Sequence, residues 1–335
     1  MDTAIAALRA GTRGTKRSSK HPVATAFMQV IFESILPIFL IVACGSVLRR
    51  VPVFDAGLWP GLEKLGFYVL FPSYLFVTLA TADYSSIDIG PVTLVYLGAV
   101  LLMAALLLAT WPIFRTRGVG AAQFTSVFQT ATRWNGFVAL AIAERIADKP
   151  GVTMIAFIMG VIIIPINFIN IGLLIWFGGG RRDFLTVTRK LVTNPLVFSS
   201  LVGVLFAAFG IGVYPPIMST LDLLGRCALG LGLLIVGAGL DIKDLLKPRP
   251  VVLIPVFLKL LAFPALVVGL GLAAGLDHTT VMLLGLSASV PTAMNGYLLA
   301  KQMGGDAPLY AAISTIQTAA AFITMPVVLA LVALV

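Results

Sequence analysis

The sequence predicts an all-α polytopic membrane protein with ten transmembrane helices, arranged as two inverted five-helix repeats with crossing, broken helices 4 and 9. Three observations support this fold class: the apolar composition, the recurrence of long charge-free runs, and internal similarity at a nearly constant offset. Hydrophobic residues make up 59% of the 335 residues and charged residues 11%, whereas a soluble domain carries about 25% charged residues. Half or more of the chain therefore has to lie in lipid.

The ten predicted spans are each bounded by charged residues, glycine or proline. A helix needs about 20 consecutive apolar residues to cross the hydrocarbon core, and runs of this kind recur along the chain. Numbered in chain order, the spans cover residues 27–48, 62–82, 91–114, 122–146, 152–177, 194–213, 220–240, 251–275, 280–302 and 308–334. Because this number is even, both ends of the chain are expected on the same side of the membrane.

The distribution of basic residues indicates which side that is. The connections after odd-numbered spans hold 12 Lys and Arg residues, and those after even-numbered spans hold only Arg145 and Lys149. Short loops rich in Lys and Arg stay in the cytoplasm, so both termini are predicted on the non-cytoplasmic side of the cell (inner or plasma) membrane. The basic segment 1–27 opposes this orientation. One hypothesis is that it is a non-native extension upstream of a start at Met28, and the alternative is a basic tail that the protein tolerates.

The chain is similar to itself at an offset of roughly 159 residues. The matching pairs are Pro37 with Pro195, Leu65-Gly66 with Leu224-Gly225, Pro91-Val92 with Pro250-Val251, Asn135-Gly136 with Asn295-Gly296, and Pro165 with Pro326. A repeat of five helices is odd-numbered, so the second copy enters the membrane inverted. Inverted repeats are typical of secondary transporters, which bind substrate where broken helices meet near the middle of the bilayer.

Spans 4 and 9 carry the signals of broken helices. Span 4 is the most polar span, and span 9 contains Pro291, which cannot donate a backbone hydrogen bond, and Gly296, which tolerates an unwound backbone. At membrane depth, non-helical backbone persists only when it is buried in protein or lines a cavity. Asn135 and Asn295 are therefore expected where the N-terminal ends of half-helices favour an anion.

Two sets of candidate residues follow from these breaks. The predicted substrate-binding residues are Asn135, Asn295, Gly136, Gly296, Arg133, Pro291, Thr292, Ser73 and Gln129. Arg133 is a charge in the middle of span 4, where it faces a carboxylate, pairs with an acidic side chain, or snorkels to the membrane interface. Glu144, Lys301 and Lys259 are the candidates for a support or coupling cluster behind the crossing, with plain anchoring at the membrane boundary as the alternative reading.

Several of these segments together resemble the auxin efflux carrier family, the bacterial relatives of the plant PIN auxin carriers and of malate and malonate permeases. The resemblance extends over nearly all of the chain from Met28 onward. It rests on Ile35-Leu36-Pro37-Ile38-Phe39-Leu40, Phe67-Tyr68-Val69-Leu70-Phe71-Pro72, Arg133-Trp134-Asn135-Gly136-Phe137 and Pro291-Thr292-Ala293-Met294-Asn295-Gly296. The sequence departs from the family at Ala139-Leu140-Ala141, where a Gly-x-Pro is common, and at Gly230, where a proline is common.

The resemblance implies a division into a scaffold and a moving transport domain that together work as an elevator. The scaffold would comprise residues 28–82 and 194–241, and the transport domain residues 89–177 and 250–335, with 178–193 as a cytoplasmic linker. A homodimer through the scaffold helices is expected. The sequence therefore predicts a secondary active transporter of a small organic anion, a carboxylate such as malate, malonate or an auxin-like acid.

Other partners and functions receive less support from the sequence. The basic residues flank apolar spans and form no patch for nucleic acid, so the bilayer and the organic anion are the expected partners. No cofactor or metal is expected, since neither cysteine has a neighbouring histidine. The alternatives are a sodium-coupled organic-anion symporter of the bile-acid-transporter type and, in a different class, a membrane-embedded enzyme or sensor.

Overall fold

The computed structural model describes residues 20–55, 57–82, 84, 88–147, 149–177, 195–240, 250–293 and 295–334, and at 20–31, 34, 295, 298 and 302 it describes the backbone alone. This part of the chain contains helices and turns and no strand. The predicted tail 1–27 and linker 178–193 lie wholly or mostly outside the described residues. The helices are α1 (Lys20–Leu48), α2 (Leu58–Ala80), α3 (Ile89–Thr116), α4 (Ala121–Thr132), α5 (Gly136–Ile146), α6 (Lys149–Phe177), α7 (Pro195–Ala208), α8 (Pro215–Ala238), α9 (Pro250–Ala273), α10 (His278–Ser289), α11 (Asn295–Met303) and α12 (Ala307–Val332).

Six of the described helices are long and apolar enough to cross a membrane, namely α2, α3, α6, α8, α9 and α12. Spans 4 and 9 each consist of two shorter helices, α4 with α5 and α10 with α11. Span 6 is shorter than predicted, because α7 ends at Ala208 and Gly210 follows with a positive φ of 62°. The protein is thus an all-helical, multi-pass membrane protein, while the count of ten spans and their inverted symmetry remain predictions.

Two of the long helices contain a single π-helical turn. The turns lie at Gly66–Leu70 in α2 and at Leu258–Ala262 in α9. Each runs directly into a Phe-Pro pair, Phe71-Pro72 or Phe263-Pro264. Proline lacks a backbone N–H and its ring clashes with the preceding turn, so a locally wider turn lets the helix continue past it.

Close backbone packing joins α1, α2, α7 and α8. Helix α8 packs against α1 and α2, and α7 packs against α2. Where α1 and α8 cross, a Cβ atom on Gly45 would overlap the Leu234 carbonyl oxygen, and a Cβ on Gly237 would overlap the Val42 carbonyl oxygen. Small residues allow such approach between membrane helices. These four helices therefore form one tightly packed group.

The remaining helices pack around the two broken spans. Helix α4 contacts α3, α6, α9 and α12, and α10 contacts α9, α12 and α6. Helix α5 reaches back to α1 and α8, and the Phe137 ring at its start stacks on the Phe71 ring of α2 with centroids 3.6 Å apart. The breaks therefore lie close to the glycine-packed group formed by α1, α2, α7 and α8.

Replacing Gly237 by alanine is expected to destabilise the protein. The added methyl group would force α1 and α8 apart, and overpacking of this kind costs about 1–3 kcal/mol or more. Gly230 lies on the same helix with no atom within 4 Å of the position of an added Cβ, so Gly230→Ala is the matched control. Thermal unfolding in detergent should show a lower melting temperature for Gly237→Ala alone. Equal melting temperatures for the two variants would contradict this account of the crossing.

Candidate functional site

The first helix break lies at Arg133-Trp134-Asn135, between α4 and α5. Arg133 has an extended backbone with φ −69° and ψ 154°, and Asn135 begins the new helix as its N-cap. The Asn135 side-chain oxygen Oδ1 accepts a hydrogen bond from the Val138 backbone N–H, with an N–O distance of 3.3 Å. This cap fixes the orientation of the amide, because the oxygen is committed to the helix and the Nδ2 donor points elsewhere.

The second break follows α10 and has a closely similar start. Val290 has φ −69° and ψ 151°, nearly the values of Arg133. The two breaks are hydrogen-bonded to each other, since the Asn135 backbone N–H donates to the Pro291 carbonyl oxygen at 3.1 Å. Pro291 therefore contributes a carbonyl acceptor to the crossing. Helix α11 begins at Asn295, whose side chain lies outside the described atoms.

Gln317 of α12 connects both breaks with one buried side chain. Its Nε2 donates to the Thr130 carbonyl oxygen at 3.1 Å and to the Pro255 carbonyl oxygen at 2.9 Å. Its Oε1 accepts from the Thr292 backbone N–H at 3.0 Å, and the side chain is 0% exposed. Thr130 lies near the end of α4 and Thr292 lies in the second break, so a single amide joins the two unwound regions to each other and to α9.

Tyr310 of α12 supports the second break from another side. Its hydroxyl donates to the Ala293 carbonyl oxygen at 2.6 Å and lies 3.1 Å from the Thr292 hydroxyl. A Cβ atom on Gly296 would overlap this tyrosine hydroxyl. The contacts described for Thr292 and Gly296 are therefore with Gln317 and Tyr310, and neither residue lines the cavity described below.

Side chains close the C-terminal end of α10. The last carbonyl oxygens of this helix accept hydrogen bonds from Ser289 Oγ (Leu286), Trp134 Nε1 (Ser287) and Lys259 Nζ (Ala288). Lys259 is 0% exposed, and its Nζ lies 4.5 Å from the centroid of the Phe263 ring. A positive charge is favourable at a helix C-terminus, where the helix dipole is negative.

The predicted support cluster of Glu144, Lys301 and Lys259 is not assembled in this conformation. Lys259 caps α10 from within the helix bundle, and Lys301 is exposed. Glu144 instead accepts a hydrogen bond from the Tyr74 hydroxyl at 2.6 Å, which joins α2 to α5. Among the described residues no hydrogen bond or ion pair connects the three side chains. The sequence analysis grouped the three residues because all are polar and lie near the breaks. Nearness to a break along the chain does not determine which side chains pair.

A cavity of about 110 Å³ lies between the first break and the glycine-packed helices. One ordered water needs about 10–15 Å³ of such space, so the cavity has room for a small solute. Arg133, Asn135 and Gly136 line it, together with Ala293 of the second break. The other lining residues are Glu63, Gly66, Phe67, Phe71, Trp134, Phe137, Met159, Ile162, Ile163, Ile166, Asn167, Leu196, Gly232, Ile235 and Val236.

The amide of Asn135 presents an unused donor at this cavity. Asn135 is 1% exposed, and its Nδ2 has no hydrogen-bond acceptor among the described residues. Leaving a buried donor unpaired costs about 1–3 kcal/mol, and such groups usually serve a function or bind a ligand or water molecule. The Nδ2 atom is therefore the group in the site that most directly indicates a ligand, which would supply its hydrogen-bond acceptor.

Two further predicted residues lie near the cavity without lining it. Ser73 is buried in α2, where its hydroxyl donates to the Val69 carbonyl oxygen at 2.8 Å. Gln129 is buried one turn before the first break, and its Oε1 lies 3.4 Å from Arg133 Nε. Gln129 thus contacts the Arg133 side chain without lining the cavity itself.

Sequence reasoning did not identify Glu63, Asn167 or Gln317. Glu63 stands at the edge of a predicted span and reads as a boundary charge, although it lines the cavity. Asn167 and Gln317 are isolated polar residues in otherwise apolar spans. Their burial within such spans is the signal that points to them, since a polar group in lipid requires a partner.

A multi-pass helical protein with two hydrogen-bonded breaks around an internal cavity has the architecture of a membrane transporter. Residues 182–329 match the family described as membrane transport protein, which is the auxin efflux carrier family. The match covers less than half of the chain and includes the second break. It agrees with the resemblance carried by the motifs, and a match to this family implies a membrane transporter of the auxin efflux carrier type. No curated protein sequence matches the chain significantly.

Replacing Gln317 by leucine is expected to destabilise the crossing. The variant leaves the Thr130 and Pro255 carbonyls and the Thr292 N–H without their partner, and each unmade buried hydrogen bond costs about 1–3 kcal/mol. Thr324→Val on the same helix is the control, because the Thr324 hydroxyl has no hydrogen bond to a described residue. Thermal unfolding in detergent should separate the two variants clearly. A Gln317→Leu protein as stable as Thr324→Val would exclude the bridging role.

Proposed function

We propose that the protein is a secondary active transporter of a small organic anion and that it binds the carboxylate of that anion at the first helix break. The observation that carries this proposal is the buried Nδ2 donor of Asn135, a residue of the cavity lining, which has no hydrogen-bond acceptor among the described residues. A donor on a cavity-lining residue at the N-terminal end of a half-helix is suited to an anionic acceptor.

The chemistry of the surrounding groups supports the same ligand. Arg133 lines the cavity two residues before Asn135 and brings a guanidinium, which binds carboxylates well. The N-terminal turn of α5 adds the positive end of its dipole. By contrast, the C-terminal end of α10 is closed by side-chain donors. The open polar surface at the breaks is therefore rich in donors.

The position of the cavity supports alternating access by an elevator movement. Its walls come from α2, α7 and α8 on one side and from the two breaks and α6 on the other. Under the proposal, α1, α2, α7 and α8 form the scaffold and the helices around the breaks carry the substrate past it. The scaffold domain would be residues 28–82 and 194–241, and the transport domain residues 89–177 and 250–335, as the sequence predicts.

A homodimer through the scaffold is part of this proposal. Several large apolar side chains on α7 and α8 are exposed on the isolated chain, among them Phe198, Leu201, Ile217 and Leu223. Such a surface suits either lipid or a second copy of the chain, and a fixed scaffold dimer would give the moving domain a reference in the membrane. We also propose that both termini lie on the non-cytoplasmic side of the membrane.

Lys259 makes the sodium-coupled alternative less favourable. In carriers with broken helices, the carbonyl ends of half-helices often coordinate the coupling cation. Here the Lys259 ammonium donates to the Ala288 carbonyl at that end of α10. Among the described residues no group of three or more His, Cys, Asp or Glu side chains is placed to hold a metal ion. The membership of a transporter family also favours a carrier over the enzyme or sensor considered from the sequence.

Replacing Asn135 by aspartate tests the carboxylate site directly. Aspartate caps a helix as well as asparagine does, so α5 should keep its start while the Nδ2 donor is replaced by a negative oxygen. A hydrogen bond to a charged group is worth about 1.5–3 kcal/mol, so we expect the half-saturation concentration to rise about tenfold or more. The measurement is counterflow of radiolabelled malonate, malate and indole-acetate in liposomes.

The reverse exchange at another cap provides the control. Asp306 caps α12 through its Oδ1 and the Leu309 N–H at 2.9 Å, and it does not line the cavity. Asp306→Asn should therefore leave counterflow close to that of the unmodified protein. An Asn135→Asp variant that transports a carboxylate with unchanged half-saturation would remove Asn135 from the proposed site.

Replacing Tyr74 by phenylalanine tests the elevator movement. The Tyr74 hydroxyl bonds Glu144 across the two proposed domains, so this bond has to break when the transport domain moves. Losing a net hydrogen bond of about 1 kcal/mol changes the balance between conformations roughly fivefold, and we expect a higher maximal counterflow rate. Glu144→Gln is the control, because the glutamine oxygen still accepts from Tyr74. A maximal rate for Tyr74→Phe equal to that of the unmodified protein would oppose a movement along this contact.

A further inference from the structure

The cavity contains two opposite formal charges, and only one of them was expected. Among the residues that line it, Arg133 and Glu63 are the only charged side chains. Arg133 belongs to the first break, whereas Glu63 belongs to α2 on the opposite, glycine-packed side. Glu63 is exposed on the isolated chain, lines the cavity at its accessible edge, and makes no ion pair with any described residue. An acidic group is thus built into the wall of a cavity that is otherwise suited to a carboxylate.

The sum of charges decides which ligands this cavity favours. With Arg133 and Glu63 both ionised, the empty cavity is neutral. A monocarboxylate would leave one uncompensated negative charge and a dicarboxylate two, whereas a zwitterion would leave none. An uncompensated charge is costly beside the buried Arg133, which is 3% exposed, and a bound carboxylate is repelled by Glu63 even though that side chain is exposed. A ligand that carries both a carboxylate and a cationic group is therefore favoured.

The distribution of polar and apolar groups gives this ligand its shape. Hydrogen-bond donors come from the first break, through Asn135 Nδ2 and Arg133, and an acidic acceptor comes from α2 through Glu63. The rest of the wall is mainly aliphatic and aromatic, including Phe67, Ile162, Ile166, Leu196 and Ile235. Binding sites of this composition fix a ligand through a few polar groups and enclose its apolar body.

We propose that the cargo is an α-amino acid with an apolar side chain, bound as a zwitterion whose ammonium group is held by Glu63 of α2. This inference rests on the proposed function, since the same break binds the carboxylate, and it narrows the substrate class from carboxylates in general. Under this proposal the first break and α2, on opposite sides of the cavity, bind different groups of the ligand. The break carries the carboxylate with the moving helices, while Glu63 recognises the ammonium from the scaffold side.

The test compares leucine with 4-methylpentanoate, which has the same carbon skeleton and carboxylate but lacks the ammonium group. Malonate represents the dicarboxylates. The full chain is reconstituted in liposomes, and counterflow is measured for each radiolabelled compound. We expect leucine to be transported with an efficiency at least tenfold above that of 4-methylpentanoate or malonate.

The variant Glu63→Gln should reverse this preference. The variant lacks the Glu63 carboxylate that pairs with the ammonium group of leucine, so leucine transport should fall about tenfold. It also no longer repels a ligand that carries only a carboxylate, so 4-methylpentanoate transport should rise. Lys64→Gln is the matched control, because Lys64 is the neighbouring residue on the same helix, is exposed as Glu63 is, and does not line the cavity. Its preference should equal that of the unmodified protein. Melting temperatures of both variants establish that each is folded.

The possible outcomes separate this inference from the proposed function. Transport of 4-methylpentanoate or malonate without leucine would overturn the amino-acid cargo and leave the carboxylate site standing. Transport of none of the three compounds, nor of malate and indole-acetate, would overturn both. If folded Glu63→Gln protein prefers leucine as strongly as the unmodified protein, Glu63 does not bind the ammonium. A reversal confined to Glu63→Gln supports the proposal.

Discussion

The structure depends on satisfying the backbone polar groups that two helix breaks expose inside a membrane. An unsatisfied N–H or C=O group in hydrocarbon costs several kcal/mol, roughly, by transfer arguments, so a broken helix persists only where other groups replace the lost bonds. Here the breaks satisfy each other through the Asn135 N–H and the Pro291 carbonyl. Gln317 then joins both to α12 and α9. The two breaks therefore satisfy part of each other's backbone hydrogen bonding, directly and through Gln317.

This arrangement also determines the chemical character of the cavity. The carbonyl ends of the first half-helices are occupied, α10 by Ser289, Trp134 and Lys259 and α4 by Gln317. At the start of α5 the opposite holds, because capping uses the oxygen of Asn135 and leaves its nitrogen without an acceptor in the part of the chain that the structure describes. The carbonyl acceptors at these helix ends are thus hydrogen-bonded within the protein, whereas the Asn135 Nδ2 donor belongs to a residue of the cavity lining. Such an imbalance is the basis of the proposed carboxylate site, and the cavity-lining acid Glu63 is the basis of the proposed preference for a cationic group on the ligand.

The sequence predicted those features that depend on local chemistry. Apolar runs identify membrane helices because the bilayer sets their length, and Pro291 and the polar residues before Asn135 identify the breaks because they weaken a helix wherever they stand. It could not predict the partners of buried polar side chains. Gln317 reads as one polar residue in an apolar span, and its three bonds exist only once α4, α9 and the second break meet around it. The same holds for Lys259, Glu144 and Lys301, which the structure does not bring into contact, since closeness to a break along the chain does not specify contact in space.

The two kinds of packing around the cavity support a moving boundary on one side of it. Within the glycine-packed group, α1 and α8 meet backbone to backbone at Gly45 and Gly237, and α8 meets α2 at Gly225, where a Cβ would lie 2.9 Å from the Tyr74 Cα. Ridges and grooves that fit this closely resist sliding, because any displacement brings carbonyl groups into collision. Between α2 and α5 the contacts are of another type, a stacked ring pair and one hydroxyl–carboxylate bond. Such contacts break and re-form at a cost of about 1 kcal/mol each. The proposed rigid-body movement would follow this surface, which is also the surface along which the cavity lies, and the displacement would carry the proposed carboxylate site away from Glu63.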